Sequence, residues 1–357
     1  MRVGGVLRFV DLLQHGHYEF ARVLPYQPLD NALQQPGGGP TREAVAQVYH
    51  RGLLDLVFDA ARVHRTTQDA AEVQCASLLS VKTGGCPENC SYCPQSAHYS
   101  TGVEAEPLMA IGEVAAAART AKANGADRFC LGAAWREVQD GPEFDRVLEM
   151  VGAVKRAGLE TCVTLGMLTP PQAERLRDAG LDYYNHNLDT GRDFYKQIIT
   201  TRCYDDRLRT LEAVREAGLK VCCGGILGMG ESHDDRIDLL HELARQRPQP
   251  ESVPINALVA VPGTPLADQP PVAWDDLLRM VAAARVLMPQ ARIRLSAGRL
   301  QMSDTLQAFC FLAGANSIFL GDRLLTTPNA DADGDFALLE RLGLRAVEPR
   351  EAETVSS

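Results

Sequence analysis

The sequence has no apolar run long enough to cross a membrane as a helix. Its first residues do not read as a secretory leader, because Arg8 and Asp11 interrupt the candidate apolar stretch. It also lacks an excess of basic residues: 36 Lys and Arg stand against 46 Asp and Glu, a net charge of −10. That balance argues against a nucleic-acid partner, which needs a basic surface to neutralise phosphates. A P-loop, a Ser-His-Asp set and a zincin helix are missing too. Cysteine, by contrast, is plentiful. Ten cysteines without a leader point to a reducing, cytoplasmic setting, where thiols serve metals or catalysis rather than disulfides. With 45% hydrophobic and 23% charged residues, the chain has the composition of a soluble globular enzyme. Its 357 residues allow one large barrel or two ordinary domains.

Three of the cysteines, Cys86, Cys90 and Cys93, follow one another as C-x3-C-x2-C on a loop broken by Gly84, Gly85, Pro87 and Pro94. Three thiolates this close can hold three corners of one metal centre. No fourth ligand completes the set, since His98 lies beyond a proline and Glu88 sits inside the loop. A structural zinc site would be closed and four-coordinate. A [4Fe–4S] cluster, usually held by four cysteines, can instead leave one iron open to a small molecule. The loop alone leaves zinc, plain structure and an open cluster all standing.

Residues 1–40 end in the breaker-rich Gln-Gln-Pro-Gly-Gly-Gly-Pro and read as a loosely ordered extension, and 346–357 as a disordered tail. Apolar positions Val45, Val48, Leu53, Leu54, Leu56, Val57 and Phe58 predict one amphipathic N-terminal helix within 42–65. From residue 77 the pattern turns regular. Strands are expected at 78–81, 128–133, 160–165, 182–185, 220–226, 253–259, 293–296 and 317–320. Helices are expected near 112–123, 143–157, 171–179, 205–217, 234–246, 274–288, 303–313 and 335–342. Eight alternations over 41–345 are the signature of an α/β (β/α)8 TIM-type barrel; a doubly wound open sheet is the alternative. An internal echo supports the barrel. Ala157-Gly158-Leu159-Glu160-Thr161-Cys162 repeats as Ala217-Gly218-Leu219-Lys220-Val221-Cys222, with looser versions at Gly125 and Gly180. Each glycine caps a helix in the left-handed conformation just before a strand.

The echo places Cys162 and Cys222 at one height and facing, and a one-residue-longer turn would bring Cys130 level with them. Inward side chains alternate along barrel strands, so the three could converge on the axis as a second iron–sulfur site. Buried thiols acting as small hydrophobes remain the other reading. Arg294, on the seventh strand, needs a negative partner if it points inward, and charge alone casts it as a counter-ion. Cys75, Cys203, Cys223 and Cys310 read as structural thiols, with Cys223 facing away from Cys222. Barrel active sites lie at the C-terminal strand ends. There the chain offers Asn185, Asn187 and Asn256, amides that donate and accept, and Asp189, suited to a ribose diol. His186 reads as structural rather than as a ligand.

At this point a resemblance is evident. Cys86, Cys90 and Cys93, with Tyr92 before the third cysteine, match the radical S-adenosylmethionine (SAM) signature. The runs Lys82–Gln95, Tyr183–Thr190, Val253-Pro254-Ile255-Asn256 and Arg294-Leu295-Ser296-Ala297-Gly298-Arg299 closely resemble the biotin synthases. The likeness spans about residues 45–345 and leaves residues 1–40 without a counterpart; an over-long start of the reading frame is one explanation. The resemblance implies a sulfurtransferase of the radical SAM class that inserts sulfur into dethiobiotin to give biotin. It implies a [4Fe–4S] cluster on Cys86, Cys90 and Cys93 that binds and cleaves SAM. It further implies a [2Fe–2S] cluster on Cys130, Cys162, Cys222 and Arg294 as sulfur source, making Arg294 a ligand where charge reasoning gives a counter-ion. By the same likeness Tyr92, Asn187, Asp189 and Ile226 are SAM contacts, and Lys82, Asn185, Asn187 and Asn256 contact dethiobiotin. A homodimer and a low-potential electron donor such as flavodoxin or ferredoxin are expected. The loops after strands one and eight should close the site. One departure is Ala76, where some relatives carry serine near the inner cluster.

Overall fold

A computed structural model describes residues 39–348. The expected extension and tail therefore lie outside the described residues, apart from Gly39, Pro40 and 346–348. The order is α1 (Arg42–Tyr49), α2 (Leu53–Thr67), β1 (Glu72–Lys82), α3 (Ile111–Ala123), β2 (Arg128–Ala133), α4 (Pro142–Arg156), β3 (Glu160–Thr164), α5 (Pro170–Asp178) and β4 (Tyr183–Asn185). It continues with α6 (Arg192–Ile198), α7 (Tyr204–Glu216), β5 (Lys220–Cys222), β6 (Gly225–Leu227), α8 (His233–Arg245), β7 (Ser252–Ala257), α9 (Trp274–Leu287), β8 (Arg292–Leu295), α10 (Asp304–Leu312) and β9 (Ser317–Leu320). A small hairpin, β10 (Arg323–Leu324) with β11 (Thr327–Pro328), follows; then come α11 (Ala332–Arg341) and β12 (Arg345–Ala346).

The parallel strands run β1-β2-β3-β4-β5-β7-β8-β9, and β9 pairs back to β1. That closure establishes the (β/α)8 barrel over the open sheet. Gly125, Gly158, Gly180 and Gly218 all have positive φ, as the helix-ending echo requires. Some boundaries differ from the expectation. The N-terminal helix is two helices, broken at Gly52, and Leu54 and Phe58 are 79% and 59% exposed rather than on the buried face. The first strand begins at Glu72, and β12 pairs with its start. The fifth strand divides into β5 and β6. The break falls at Gly224, where a side chain would collide with the Pro254 carbonyl, 1.9 Å from the Cβ position. The sixth strand stops at Ala257, and the short helix α6 was not anticipated.

Following hydrogen-bonded partners once around the barrel returns to β1 displaced by eight residues. This is the shear of an eight-stranded barrel, and it makes each interior layer draw on alternate strands. One layer is Ala76, Cys162, Cys222 and Arg294. The next, nearer the C-terminal mouth, is Cys130, Asn185, Pro254 and Phe319. The layer beneath is Arg128, Tyr183, Ser252 and Ser317. Cys130 pairs directly with Cys162 across β2 and β3, so it stands one layer above the other two cysteines rather than level with them. The strand register, which no local echo reports, sets that offset.

The barrel floor is polar and cross-linked, though Asp127 Oδ1 and Arg128 Nη1 are buried without a hydrogen-bond partner among the described residues. The Arg128 guanidinium lies 3.6 Å over the Tyr183 ring and donates to Glu160 Oε2 at 2.8 Å. Gln74 Nε2 donates to Asp127 and to Glu160. The apolar core lies outside this, where the helices cover the outer faces of the strands.

Candidate active site

Cys130, Cys162, Cys222 and Arg294 all line one cavity of about 260 Å³ inside the barrel mouth. Ala76, Tyr183 and Phe319 pack around the three thiols. The thiols are close enough to share protons. The proximity of Cys162 pulls Cys130 below its usual range and Cys222 down to about 6, while Cys162 itself is pushed up by both neighbours and by burial. The positive charges of Arg294 and Arg128 assist, and Ser252 Oγ lies 3.4 Å from Cys222 Sγ. Arg294 is buried; its Nε donates to Ser317 Oγ at 2.8 Å and its Nη2 to Gln74 Oε1 at 3.1 Å. Among the described residues no carboxylate lies within ion-pair distance of it; Cys130, Cys222 and the Asp127 carboxyl all feel its charge.

The three-cysteine loop leaves β1 at the same mouth. Cys93 lines the cavity with Tyr92, Pro94 and Gln95. Cys86 and Cys90 do not line it, but they act electrostatically on Cys93. Burial pushes Cys90 up to about 11 and Cys93 up to about 12. The two residues that could have supplied a fourth ligand are engaged elsewhere. His98 Nε2 meets the Pro87 carbonyl at 3.0 Å, and Glu88 is buried against Thr201, Arg136 and Arg202. Among the described residues no group of three His, Cys, Asp or Glu side chains could hold a single metal ion. The donor chemistry itself is what bears on the cofactor: two sets of soft sulfur donors suit iron–sulfur clusters.

The polar residues of the mouth divide by what already occupies them. Asn256 is held at both ends, donating to the Gly225 carbonyl and accepting from Ala297 N. Asn187 Oδ1 accepts from Gly224 N. Asn185 Nδ2 donates to Thr164 Oγ1, but its Oδ1 is buried without a partner in the cavity wall. Asp189, at φ 68°, is buried and bound to Arg207 at 2.6 Å. Its carbonyl accepts from Ile226 N, which brings Ile226 into the wall. Lys82 lies outside the wall, half-buried at the end of β1. His186 is buried, its Nε2 has no partner, and desolvation holds it neutral. Leu324, Leu325, Thr326 and Thr327 of the β10–β11 hairpin close the opposite side. Both expected loops thus reach the cavity. Of the cysteines read as structural, Cys75, Cys223 and Cys310 are buried, but Cys203 is exposed as the N-cap of α7.

A biotin synthase of Methylobacterium radiotolerans is 61% identical over 322 residues, covering 88% of this chain and 96% of its own. The chain belongs to the biotin synthase family. Another biotin synthase, from Myxococcus xanthus, is 60% identical over 307 residues, covering 86% of this chain and 89% of its own. Residues 80–243 match the Radical SAM superfamily, and residues 254–345 match the Biotin and Thiamin Synthesis associated domain. The crystal structure of methylornithine synthase shares the fold, with a TM-score of 0.71 at 19% identity over 86% of this chain and 94% of that one. Membership of the biotin synthase family makes this a radical SAM, sulfur-inserting enzyme that uses SAM and iron–sulfur chemistry. No helix of the described residues is long and apolar enough to cross a membrane.

The sequence reading of this biotin synthase homologue passed over Arg202 and Arg207, which lie behind the three-cysteine loop. A signal was available. Arg202 precedes the N-terminus of α7, where the helix dipole disfavours a cation, so an anionic neighbour had to hold it.

Proposed function

We propose that this chain converts dethiobiotin to biotin with two clusters stacked along one barrel. Cys86, Cys90 and Cys93 hold a [4Fe–4S] cluster with one iron left for SAM, and Cys130, Cys162, Cys222 and Arg294 hold a [2Fe–2S] cluster. The observation that carries this reading is the pair of adjacent layers bringing those three thiols and one guanidinium to a single cavity whose rim contains Cys93. When bound, the outer cluster with SAM supplies an electron and a 5′-deoxyadenosyl radical that abstracts unactivated hydrogens, and the inner cluster supplies sulfur.

The chain's own residues bind, orient and exclude water. Tyr92, Asn187, Asp189 and Ile226 form the SAM side of the cavity. Asp189, anchored on one oxygen by Arg207, offers the other to a ribose hydroxyl. Asn185 Oδ1 is an unpaired acceptor, which a ureido N–H of dethiobiotin satisfies; Asn187 and Asn256 line the same cavity, and the family likeness adds Lys82, which here lies outside the wall. The β10–β11 hairpin keeps bulk water from the radical. Residues 41–345 act as one catalytic domain. The chain works in the cytoplasm as a homodimer and receives electrons from a low-potential donor such as flavodoxin or ferredoxin.

The test is anaerobic turnover with dethiobiotin, SAM and reductant, reading 5′-deoxyadenosine and biotin separately. Cys86→Ala should abolish both products. Cys130→Ala should still form deoxyadenosine but no biotin, and normal biotin yield from that variant would remove the inner cluster as sulfur donor.

A further inference from the structure

The three-cysteine loop is bolted to the segment between α6 and α7. Ser91 N and Oγ both donate to the Ile198 carbonyl, at 3.0 and 2.9 Å. Asn89 Oδ1 accepts from Thr200 N and Thr201 N, and Arg136 Nη1 donates to the Thr201 carbonyl at 2.7 Å. This segment delivers Arg202 to the back of the loop, where its side chain is only 6% exposed. The guanidinium is fixed on three sides. Nε donates to the Tyr195 hydroxyl at 3.1 Å, Nη1 lies 3.6 Å from Glu88 Oε1, and Nη2 donates to Cys90 Sγ at 3.4 Å. Cys86 and Cys93 are approached instead by the backbone N–H groups of Glu88 and Gln95. Among the described residues, Cys90 is the one of the three with a charged side chain donating to its sulfur.

We propose that Arg202 is a positioning residue that sets the reduction potential of the cluster carried by Cys86, Cys90 and Cys93. The inference rests on the assignment of that cluster. Adding one electron puts one more negative charge on the cluster and its thiolates. An N–H···S bond from a buried cation stabilises that added charge, and hydrogen bonding to cluster sulfurs is a recognised lever on potential. Glu88 and Tyr195 hold the fork in place. Low exposure keeps water from replacing it, so its effect is screened little.

The experiment is an anaerobic redox titration followed by electron paramagnetic resonance on the reconstituted full chain. It compares wild type with Arg202→Met, Arg202→Gln and Arg202→Lys, and assays iron and sulfide in each. With cluster content unchanged, Arg202→Met should lower the reduced-to-oxidised ratio at a fixed potential about tenfold, ~59 mV for one electron. Arg202→Gln, a donor without charge, should fall between Arg202→Met and wild type. Arg202→Lys, which keeps the charge, should lie nearest wild type. An unchanged midpoint in Arg202→Met, or equal displacement in Arg202→Lys and Arg202→Met, overturns the proposal. Loss of the cluster from all three variants also overturns it, in favour of a purely structural strut. A wild-type chain that carries no [4Fe–4S] cluster on these cysteines overturns the assignment beneath it, and iron content tells that failure from the others.

Discussion

Replacing His64 with leucine removes a ring that is 1% exposed and whose two nitrogens have no hydrogen-bond partner among the described residues. It sits on α2, the helix packed against α9. Burial, aided by the positive charges of Arg285, Arg65 and Arg292, lowers this imidazole from 6.5 to about 4. Between those values the unfolded chain binds a proton that the folded chain refuses. Stability therefore rises with pH across that window: it is fully present above about 6.5 and lost as pH falls through about 4. At 1.36 kcal/mol per pKa unit the loss is about 3 kcal/mol. His64→Leu should erase this slope. It should also stabilise the chain at pH 7 by about 1–2 kcal/mol, since an unpaired buried polar group gives way to an apolar one of similar size.

The assay is denaturant unfolding of the metal-free chain, followed by circular dichroism at several pH values between 4 and 7.5. The quantity that matters is the gap between His64→Leu and wild type, because other titrating groups contribute equally to both curves. That gap should widen by about 3 kcal/mol from pH 7 to pH 4. Parallel curves would refute the reasoning, since an imidazole that charges inside the fold at no cost is not desolvated.

Asp127 works the other way. Burial raises its carboxyl from 3.8 to about 6, so its contribution is present below about 4 and lost as pH rises through 6. Asp127→Asn should stabilise the metal-free chain at pH 7 by about 3 kcal/mol, with the gain vanishing near pH 4 in the same unfolding assay. At Asp189, asparagine tolerates the left-handed backbone but leaves the buried Arg207 without its anion. Asp189→Asn should therefore cost about 3–5 kcal/mol of unfolding free energy, and adding Arg207→Met should recover part of it.

Much of this architecture could be read from one chain because its signals are local. Gly125, Gly158, Gly180 and Gly218 end helices by a rule operating over a few residues, and each strand follows directly. The three-cysteine loop is equally compact, and in the structure its neighbours His98 and Glu88 are engaged with Pro87, Thr201, Arg136 and Arg202. Features that depend on distant partners were less legible. Whether 42–65 is one helix or two turns on tertiary packing, α1 against α8 and α9 and α2 against α9. The division of the fifth strand at Gly224 depends on the Pro254 carbonyl, thirty residues on. Arg202 is connected to Cys90 only through the fold, since 112 residues separate them.

Cys130 illustrates the same limit and adds a consequence. Position within the echo gave its facing, but its height follows from a shear summed over the whole barrel. The direct pairing with Cys162 lifts it one layer, so the sulfur set is asymmetric: Cys162 and Cys222 share a level with Arg294, while Cys130 shares one with Asn185. Asn185 also has a buried side-chain carbonyl oxygen with no hydrogen-bond partner among the described residues. A substrate held by that oxygen would therefore lie at the level of the uppermost thiol, with the remaining thiols and the guanidinium beneath it. The stagger that closes the cylinder thus also sets Asn185, the proposed substrate acceptor, at the level of Cys130, a relation that no spacing of cysteines along the chain could convey.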